Sequence, residues 1–190
     1  MFHWGLPFTI SYVAWIAMEI WISLRDRRKR AGVRQDGGSL GIIVVAYVLG
    51  LTVAGTLAGT QPWARIPSFQ FQLYLAGVSL MWAGMALRIW AVLVLGRFFR
   101  ITVTVQDEHC LIEEGPYRLL RHPAYSGGLL TMVGIGLAMG NWLSLLAIML
   151  VLLPAYGYRI GVEERALKGR FGESYDRYAA SRWRLIPFLV

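Results

Sequence analysis

Long apolar stretches alternate with tight clusters of charge along this chain, and that alternation limits the folds open to it. Apolar runs occupy Trp4–Leu24, Leu40–Ala58, Leu73–Leu95, Tyr125–Met139 and Leu143–Tyr156. The first three approach the roughly 20 residues that carry a helix across the hydrocarbon core of a bilayer. The last two, at about 14–15 residues, are short for a crossing and read as a tight helical hairpin turning at Gly140-Asn141. With 56% hydrophobic residues, only 16% charged and a mean hydropathy of +0.50, the chain falls in the membrane class. The expected fold is all-α and integral to a membrane. It has five transmembrane helices, the last two a short helical hairpin, with a small cytosolic loop and a C-terminal amphipathic helix. Residues 1–190 form a single membrane domain, with spans one and two within residues 1–70.

Net charge is +8, which would suit nucleic acid if the basic residues were spread over one soluble face. They are not. Of the nineteen Lys and Arg, all but Arg65 and Arg88 fall after span one, between spans three and four, or in the tail after span five. That distribution obeys the positive-inside rule for an N-terminus outside and a C-terminus in the cytosol. The basic face is thus expected to meet anionic lipid, and no nucleic acid, at a cell inner membrane. The first run has no basic segment before it and no small-residue cleavage site at its end, so it reads as a retained anchor. Cys110 is the sole cysteine, and His3, His109 and His122 lack the spacing of a metal site, so no metal is expected.

Within the spans, Glu19 and Arg88 lie within one or two turns of the same surface and could pair between helices. Gly50, Gly55 and Gly59, with Thr52, Thr56 and Thr60, give span two a small-residue face suited to close packing. After span three, the alternation in Ile101-Thr102-Val103-Thr104-Val105 predicts a brief strand returning through Cys110-Leu111-Ile112. If the last span continues as one helix, Arg159 and Glu163 share a face, as do Glu164 and Lys168. Arg159 abuts an apolar run, where a charge is costly and often functional. The tail through Trp183, Arg184 and Pro187 mixes aromatic and basic residues, and is expected to lie on the cytosolic leaflet.

The sharpest change of character is at Gly115-Pro116-Tyr117-Arg118-Leu119-Leu120-Arg121-His122-Pro123-Ala124-Tyr125-Ser126-Gly127. Pro123 disfavours helical dihedrals at His122 and fits the first position of a new helix, so a break at His122 is expected. A helix start beside Arg118, Arg121 and His122 is electropositive and suited to a carboxylate or phosphate, or else to lipid headgroups.

Taken together, several motifs resemble the integral-membrane isoprenylcysteine carboxyl methyltransferases and related phospholipid methyltransferases. They are Leu95-Gly96, His109-x-Leu111 and Gly115-x-Tyr117-x-x-x-Arg121-His122-Pro123-x-Tyr125-x-Gly127. To these are added Arg159-x-x-x-Glu163-Glu164-x-x-Leu167-x-x-x-Phe171-Gly172-x-x-Tyr175-x-x-Tyr178 and Arg184-x-x-Pro187. The resemblance covers about residues 88–190. It implies methyl transfer from S-adenosylmethionine to a lipophilic acceptor entering from the bilayer, with residues 71–190 the catalytic core. His109, Leu111, Gly115, Tyr117, Arg121, His122, Pro123, Tyr125 and Glu163 would bind the cofactor. Arg159, oriented by Glu164, would grip the acceptor's carboxylate in an isoprenylcysteine-type O-methylation. An amine acceptor, as in phospholipid N-methylation, would instead need a base such as Tyr158 or a carboxylate. The Arg-His-Pro-x-Tyr-x-Gly pattern is also similar to that of NADPH-dependent membrane sterol reductases. Nothing in the sequence speaks to oligomeric state.

Overall fold

A computed structural model describes residues 5–27, 33–34, 38–99, 104–105 and 111–187. Within them the chain is helical: α1 (Leu6–Arg27), α2 (Ser39–Thr60), α3 (Gln70–Leu95), α4 (Pro123–Ala138), α5 (Trp142–Phe171) and α6 (Glu173–Ala180). Four are long and apolar enough to cross a bilayer, over Leu6–Asp26, Ser39–Thr60, Gln70–Leu95 and Trp142–Phe171, and Pro123–Ala138 is a shorter apolar helix. Many apolar side chains on these helices face outward, among them Val45, Val48, Trp82 and Leu150. That is the pattern of a bundle whose solvent is lipid rather than water.

Two helix pairs carry most of the packing, α3 against α4 and α2 against α5. Glycine brings the first pair together. A Cβ at Gly84 would lie 2.6 Å from the Gly127 carbonyl oxygen, and one at Gly77 would lie 2.6 Å from that of Gly134. Looking back from α4, a Cβ at Gly127 or at Gly134 would lie the same 2.6 Å from the carbonyl oxygen of Gly84 or of Gly77. Two backbones that close leave no room for any side chain, which is how small residues drive helix association in lipid. The small-residue face of span two, which the sequence favours for this role, does not perform it. There Gly55 and Gly59 face open space and Gly50 makes only ordinary contacts with α5, so the tight seam is α3–α4.

The turn at Gly140-Asn141 is where it was expected. Gly140 takes φ +60°, and the Asn141 side chain caps α5 by accepting from the Ser144 amide at 3.1 Å. The helix beyond the turn is longer than the expected hairpin arm. It runs thirty residues, through Pro154 and past the end of the apolar run, so that Arg159, Glu163 and Glu164 ride on the same rigid helix. Pro154 lacks an N–H, yet the helix continues through it.

Of the loop strand, Thr104–Val105 (β2) pairs antiparallel with Val33–Arg34 (β1), a segment before it in the chain rather than the expected return through residues 110–112. The remainder of that expected strand, together with Cys110 and His109, lies outside the described residues. Glu19 on α1 and Arg88 on α3 do pair: an Arg88 Nη2 donates to Glu19 Oε2 at 2.9 Å, and Nε lies 2.7 Å from Oε1.

Candidate active site

The ends of α2 and α4 and the polar extension of α5 meet at one end of the bundle, because α2 and α4 begin there and α5 emerges there. Pro123 opens α4 as its first residue, and His122 before it has φ −127° and ψ 56°, outside the helix. The break turns His122 inward, and it is 4% exposed.

The expected anion cradle is already filled by the protein itself. Glu164, near the end of α5, accepts from Arg121 Nη1 at 2.8 Å, lies 3.2 Å from His122 Nε2, and is clasped by Arg184 through Nε at 3.2 Å and a short Nη2 contact. Arg121 and His122 therefore bind this carboxylate. Lys168, the partner that helix spacing gave Glu164, pairs instead with Asp176 at 3.0 Å. Among the described residues, the buried Nε of Arg121 has no hydrogen-bond partner.

Arg159, 3% exposed, donates from Nη1 to Ser39 Oγ at 2.6 Å and from Nε to the Tyr125 hydroxyl at 3.1 Å. That hydroxyl donates onward to Glu163 Oε2 at 2.7 Å. Arg159 and Glu163 are thus linked through Tyr125 of α4, not by the direct four-residue pair that helix spacing suggested. Glu163 keeps 32% of its side chain exposed, and His122 Nδ1 is 4.0 Å from it. Rings extend the network into the bundle: His122 stacks on Tyr125 at 5.7 Å, Tyr125 meets Tyr156 at 5.6 Å, and Tyr156 is edge-on to Tyr47. Arg88 donates to the Ala124 carbonyl at 3.0 Å and so braces the first turn of α4 from α3.

The tail closes this end. Leu120 and Trp183 form a parallel bridge, with the Arg121 amide donating to the Trp183 carbonyl at 2.7 Å and the His122 amide to that of Arg184 at 3.2 Å. Ser126 Oγ donates to the Leu185 carbonyl at 2.5 Å. The tail thus packs on the end of the bundle, and the backbone groups freed by the break at His122 are satisfied by it. The helix α6 buries Tyr175 and Tyr178 against it. Burial pushes the Tyr178 hydroxyl up to about 12, with Arg182 opposing and Glu113 adding to the shift, so it stays a donor to the Tyr117 carbonyl. Arg182 ties the same carbonyl at 3.0 Å and pairs with Glu113 at 2.6 Å. Tyr117 itself is buried, Leu111 is half-buried, and Gly115 takes φ +54° where a Cβ would lie 2.9 Å from Val94.

Of the residues singled out from sequence, the structure gathers Arg121, His122, Pro123, Tyr125, Arg159, Glu163 and Glu164 at one place; Leu111, Gly115 and Tyr117 belong to the adjoining loop. Sequence reasoning missed Ser39, whose only signal was its place at the start of an apolar run. It also missed Arg184 as a partner of Glu164.

The family model for phospholipid methyltransferases matches residues 73–174, which hold α4, α5, all but the first turn of α3 and every one of those seven residues. The chain belongs to the phospholipid methyltransferase family. Among similar members, a probable protein-S-isoprenylcysteine O-methyltransferase from Oryza sativa subsp. indica is 35% identical over 152 residues, 78% of this chain and 79% of that protein. Protein-S-isoprenylcysteine O-methyltransferase B from Arabidopsis thaliana is 35% identical over 115 residues, 60% of this chain and 58% of that one. The solved structure of a eukaryotic intramembrane Ras methyltransferase, isoprenylcysteine carboxyl methyltransferase, superposes with a TM-score of 0.64 at 26% identity. It covers 77% of this chain, which spans about half of that protein's length. In this phospholipid methyltransferase family member, Ser39, Glu19 and the tail residues Arg182 to Leu185 lie outside the matched stretch, so part of the site comes from the chain's flanking segments.

Proposed function

We propose that this chain is a membrane methyltransferase that esterifies the carboxylate of an isoprenylated cysteine, drawing the methyl group from S-adenosylmethionine. The reading is carried by one observation: a buried arginine, Arg159, joined through Tyr125 to a half-exposed carboxylate, Glu163, at the end of a bundle with an apolar exterior.

The residues present fit the cofactor. Glu163 is an accessible anion for its cationic or hydroxyl groups, and the buried Nε of Arg121, without a hydrogen-bond partner among the described residues, would be a donor for its carboxylate. When bound, S-adenosylmethionine supplies a methyl sulfonium that is already activated. What remains for the protein is placement. A carboxylate nucleophile needs no general base, so orienting it in line with the methyl carbon governs the rate. Arg159 would hold that carboxylate through its planar fork, with Tyr125 fixing the fork's rotation and Ser39 its depth. Glu164, bound by Arg121, His122 and Arg184, is a positioning residue: it draws the tail, the helix break and α5 into one body.

In the same reading residues 71–190 are the catalytic core, and α1 to α5 make five crossings with the N-terminus outside and the site in the cytosolic leaflet of an inner membrane. There the basic residues meet anionic lipid and the acceptor enters from the bilayer. The test is methyl transfer by the purified chain in bilayer discs, with donor labelled at the methyl group. Label released as methanol by mild base from a prenylcysteine supports it. Base-stable label on phosphatidylethanolamine would make the chain an amine methyltransferase instead, and NADPH binding without methyl transfer would reject both.

A further inference from the structure

One turn beneath the site, each of α1 to α5 sends one residue to a single polar point inside the bundle: Glu19, Tyr47, Arg88, Gly128 and Tyr156. Gly128 of α4 marks its centre. A Cβ there would lie 2.6 Å from the Tyr156 hydroxyl, 2.8 Å from that of Tyr47 and 3.6 Å from Arg88 Nη1. The two hydroxyls are hydrogen-bonded to each other, their rings stand edge-on at 6.3 Å, and Tyr156 is 1% exposed. Arg88 completes the point from α3, bound to Glu19 and to the Ala124 carbonyl. Polar groups inside a membrane bundle are costly and mark function. A carboxylate acceptor needs no general acid or base, so these hydroxyls have another task.

Their place between the two helix pairs gives it. The site straddles those pairs: Ser39 and Arg159 stand on α2 and α5, whereas His122 and Tyr125 stand at the head of α4. The link across is Arg159 Nε to the Tyr125 hydroxyl at 3.1 Å. Tyr156 precedes Arg159 by three residues and Gly128 follows Tyr125 by three. The approach of Tyr156 to Gly128 therefore repeats, one turn deeper, that of Arg159 to Tyr125. The rings of Tyr125 and Tyr156, 5.6 Å apart, join the two levels. Gly127 faces the α3 seam, while its neighbour Gly128 is bare toward α2 and α5, and the paired hydroxyls fill the volume a side chain would take.

We infer that Tyr47 and Tyr156 are positioning residues: their paired hydroxyls, set against bare Gly128, fix the spacing of α4 and α5 one turn beneath the site, and so the distance between Tyr125 and Arg159. The inference rests on the proposed carboxylate methylation and adds to it what keeps the two halves of the site in line. Both tyrosines act through the helices and not on the reacting groups. A hydrogen bond shielded from water has no competing solvent, so the pair holds one geometry.

Exchanging volume between the pair and the glycine it faces tests this. Methyl transfer to N-acetyl-S-farnesylcysteine is measured in bilayer discs at saturating donor and acceptor, on the monodisperse fraction, alongside S-adenosylmethionine affinity by titration. Tyr47→Phe with Tyr156→Phe removes both oxygens and opens a gap opposite Gly128. A displacement of about 1 Å costs up to about 100-fold, so kcat falls on the order of 10- to 100-fold while cofactor affinity stays within about twofold. Gly128→Ala alone drives a methyl group into both hydroxyls and lowers kcat by a similar factor. The three substitutions together put a methyl group where the oxygens were, and kcat recovers at least about fivefold over either parent. The phenylalanine pair keeps its rings, so it decides the matter even where Gly128→Ala does not fold. An unchanged kcat in that pair, whatever its melting temperature, makes the tyrosines a packing contact and overturns the assignment. So does a folded triple variant no more active than its parents, or a loss of cofactor affinity parallel to that of kcat. Each of these leaves the methylation reading standing, because the unmodified chain still turns over. If the unmodified chain methylates no prenylcysteine, the methylation reading fails and takes this assignment with it.

Discussion

The Tyr125 hydroxyl lies 3.1 Å from Arg159 Nε and 2.7 Å from Glu163 Oε2, accepting from the first and donating to the second. A single phenol thus couples the buried cation on α5 to the accessible anion one turn further along the same helix. Tyr125→Phe removes that hydroxyl and keeps the ring stacked on His122 and tilted against Tyr156. A hydrogen bond to a charged group is worth about 1.5–3 kcal/mol, so kcat/KM for methyl transfer should fall on the order of 10- to 100-fold and the melting temperature should fall with it. Steady-state kinetics beside a thermal melt check both halves.

Glu164 is where the tail is fastened. Glu164→Ala leaves Arg121, His122 and Arg184 facing one another without their shared anion. Leaving such groups unpaired costs about 1–3 kcal/mol. The visible consequence is at the tail: limited proteolysis should cut near Trp183–Arg184 several-fold faster than in the unmodified chain, with the α3–α4 half remaining intact. Equal cleavage rates would mean that the backbone bridge at Leu120–Trp183 holds the tail unaided.

The glycine seam gives a pair of substitutions with opposite outcomes from the same chemical change. At Gly84 an added Cβ would sit 2.5 Å from Thr131 Oγ1 and 2.6 Å from backbone atoms of α4, so Gly84→Ala must push the helices apart. Overpacking of this kind costs about 1–3 kcal/mol, and Tm in detergent should drop by several degrees. At Gly55 the same change meets nothing within 4 Å, and alanine is favoured in a helix by roughly 1 kcal/mol, so Gly55→Ala should leave Tm unchanged or raise it.

How far the sequence alone carries the fold depends on the physics of each element. The membrane character, the break at His122 and the turn at Gly140-Asn141 were legible because hydropathy, proline and glycine act locally. The site was half legible. Arg121, His122, Tyr125, Arg159, Glu163 and Glu164 stand out as polar residues bordering apolar runs, but who pairs with whom depends on which helices are neighbours. Helix spacing suggested Arg159 with Glu163 and Glu164 with Lys168. Tertiary packing instead inserts Tyr125 into the first pair and gives Glu164 to three residues distant in sequence. The docking of the tail was hidden for a related reason: Trp183 and Arg184 have the composition of a membrane-surface segment, and nothing in that composition shows that their carbonyls accept from the Arg121 and His122 amides. Gly77 and Gly84 were hidden within an unbroken apolar run, whereas the glycines of α2 were conspicuous, and Gly55 and Gly59 among them face open space.

Glu19 and Arg88 pair inside the bundle, and removing one partner strands the other. Glu19→Ala should destabilise the chain by about 3–5 kcal/mol, more than Glu19→Ala with Arg88→Met, in which no charge is left behind. Chemical denaturation of both variants in the same detergent measures the difference. The double variant should still lose activity, because Arg88 also braces the Ala124 carbonyl beside Tyr125.

The central claim is met most directly by the kinetic split at Arg159. In bilayer discs, Arg159→Ala should lower turnover of an N-acetyl-S-farnesylcysteine acceptor at least about 100-fold, the loss of a positioned, charge-assisted contact worth roughly 3 kcal/mol. Titrated S-adenosylmethionine affinity should stay within about twofold, since the residues assigned to the cofactor are untouched. Turnover close to that of the unmodified chain, or a parallel collapse of cofactor affinity, would contradict the assignment of Arg159 as the residue that holds the acceptor's carboxylate.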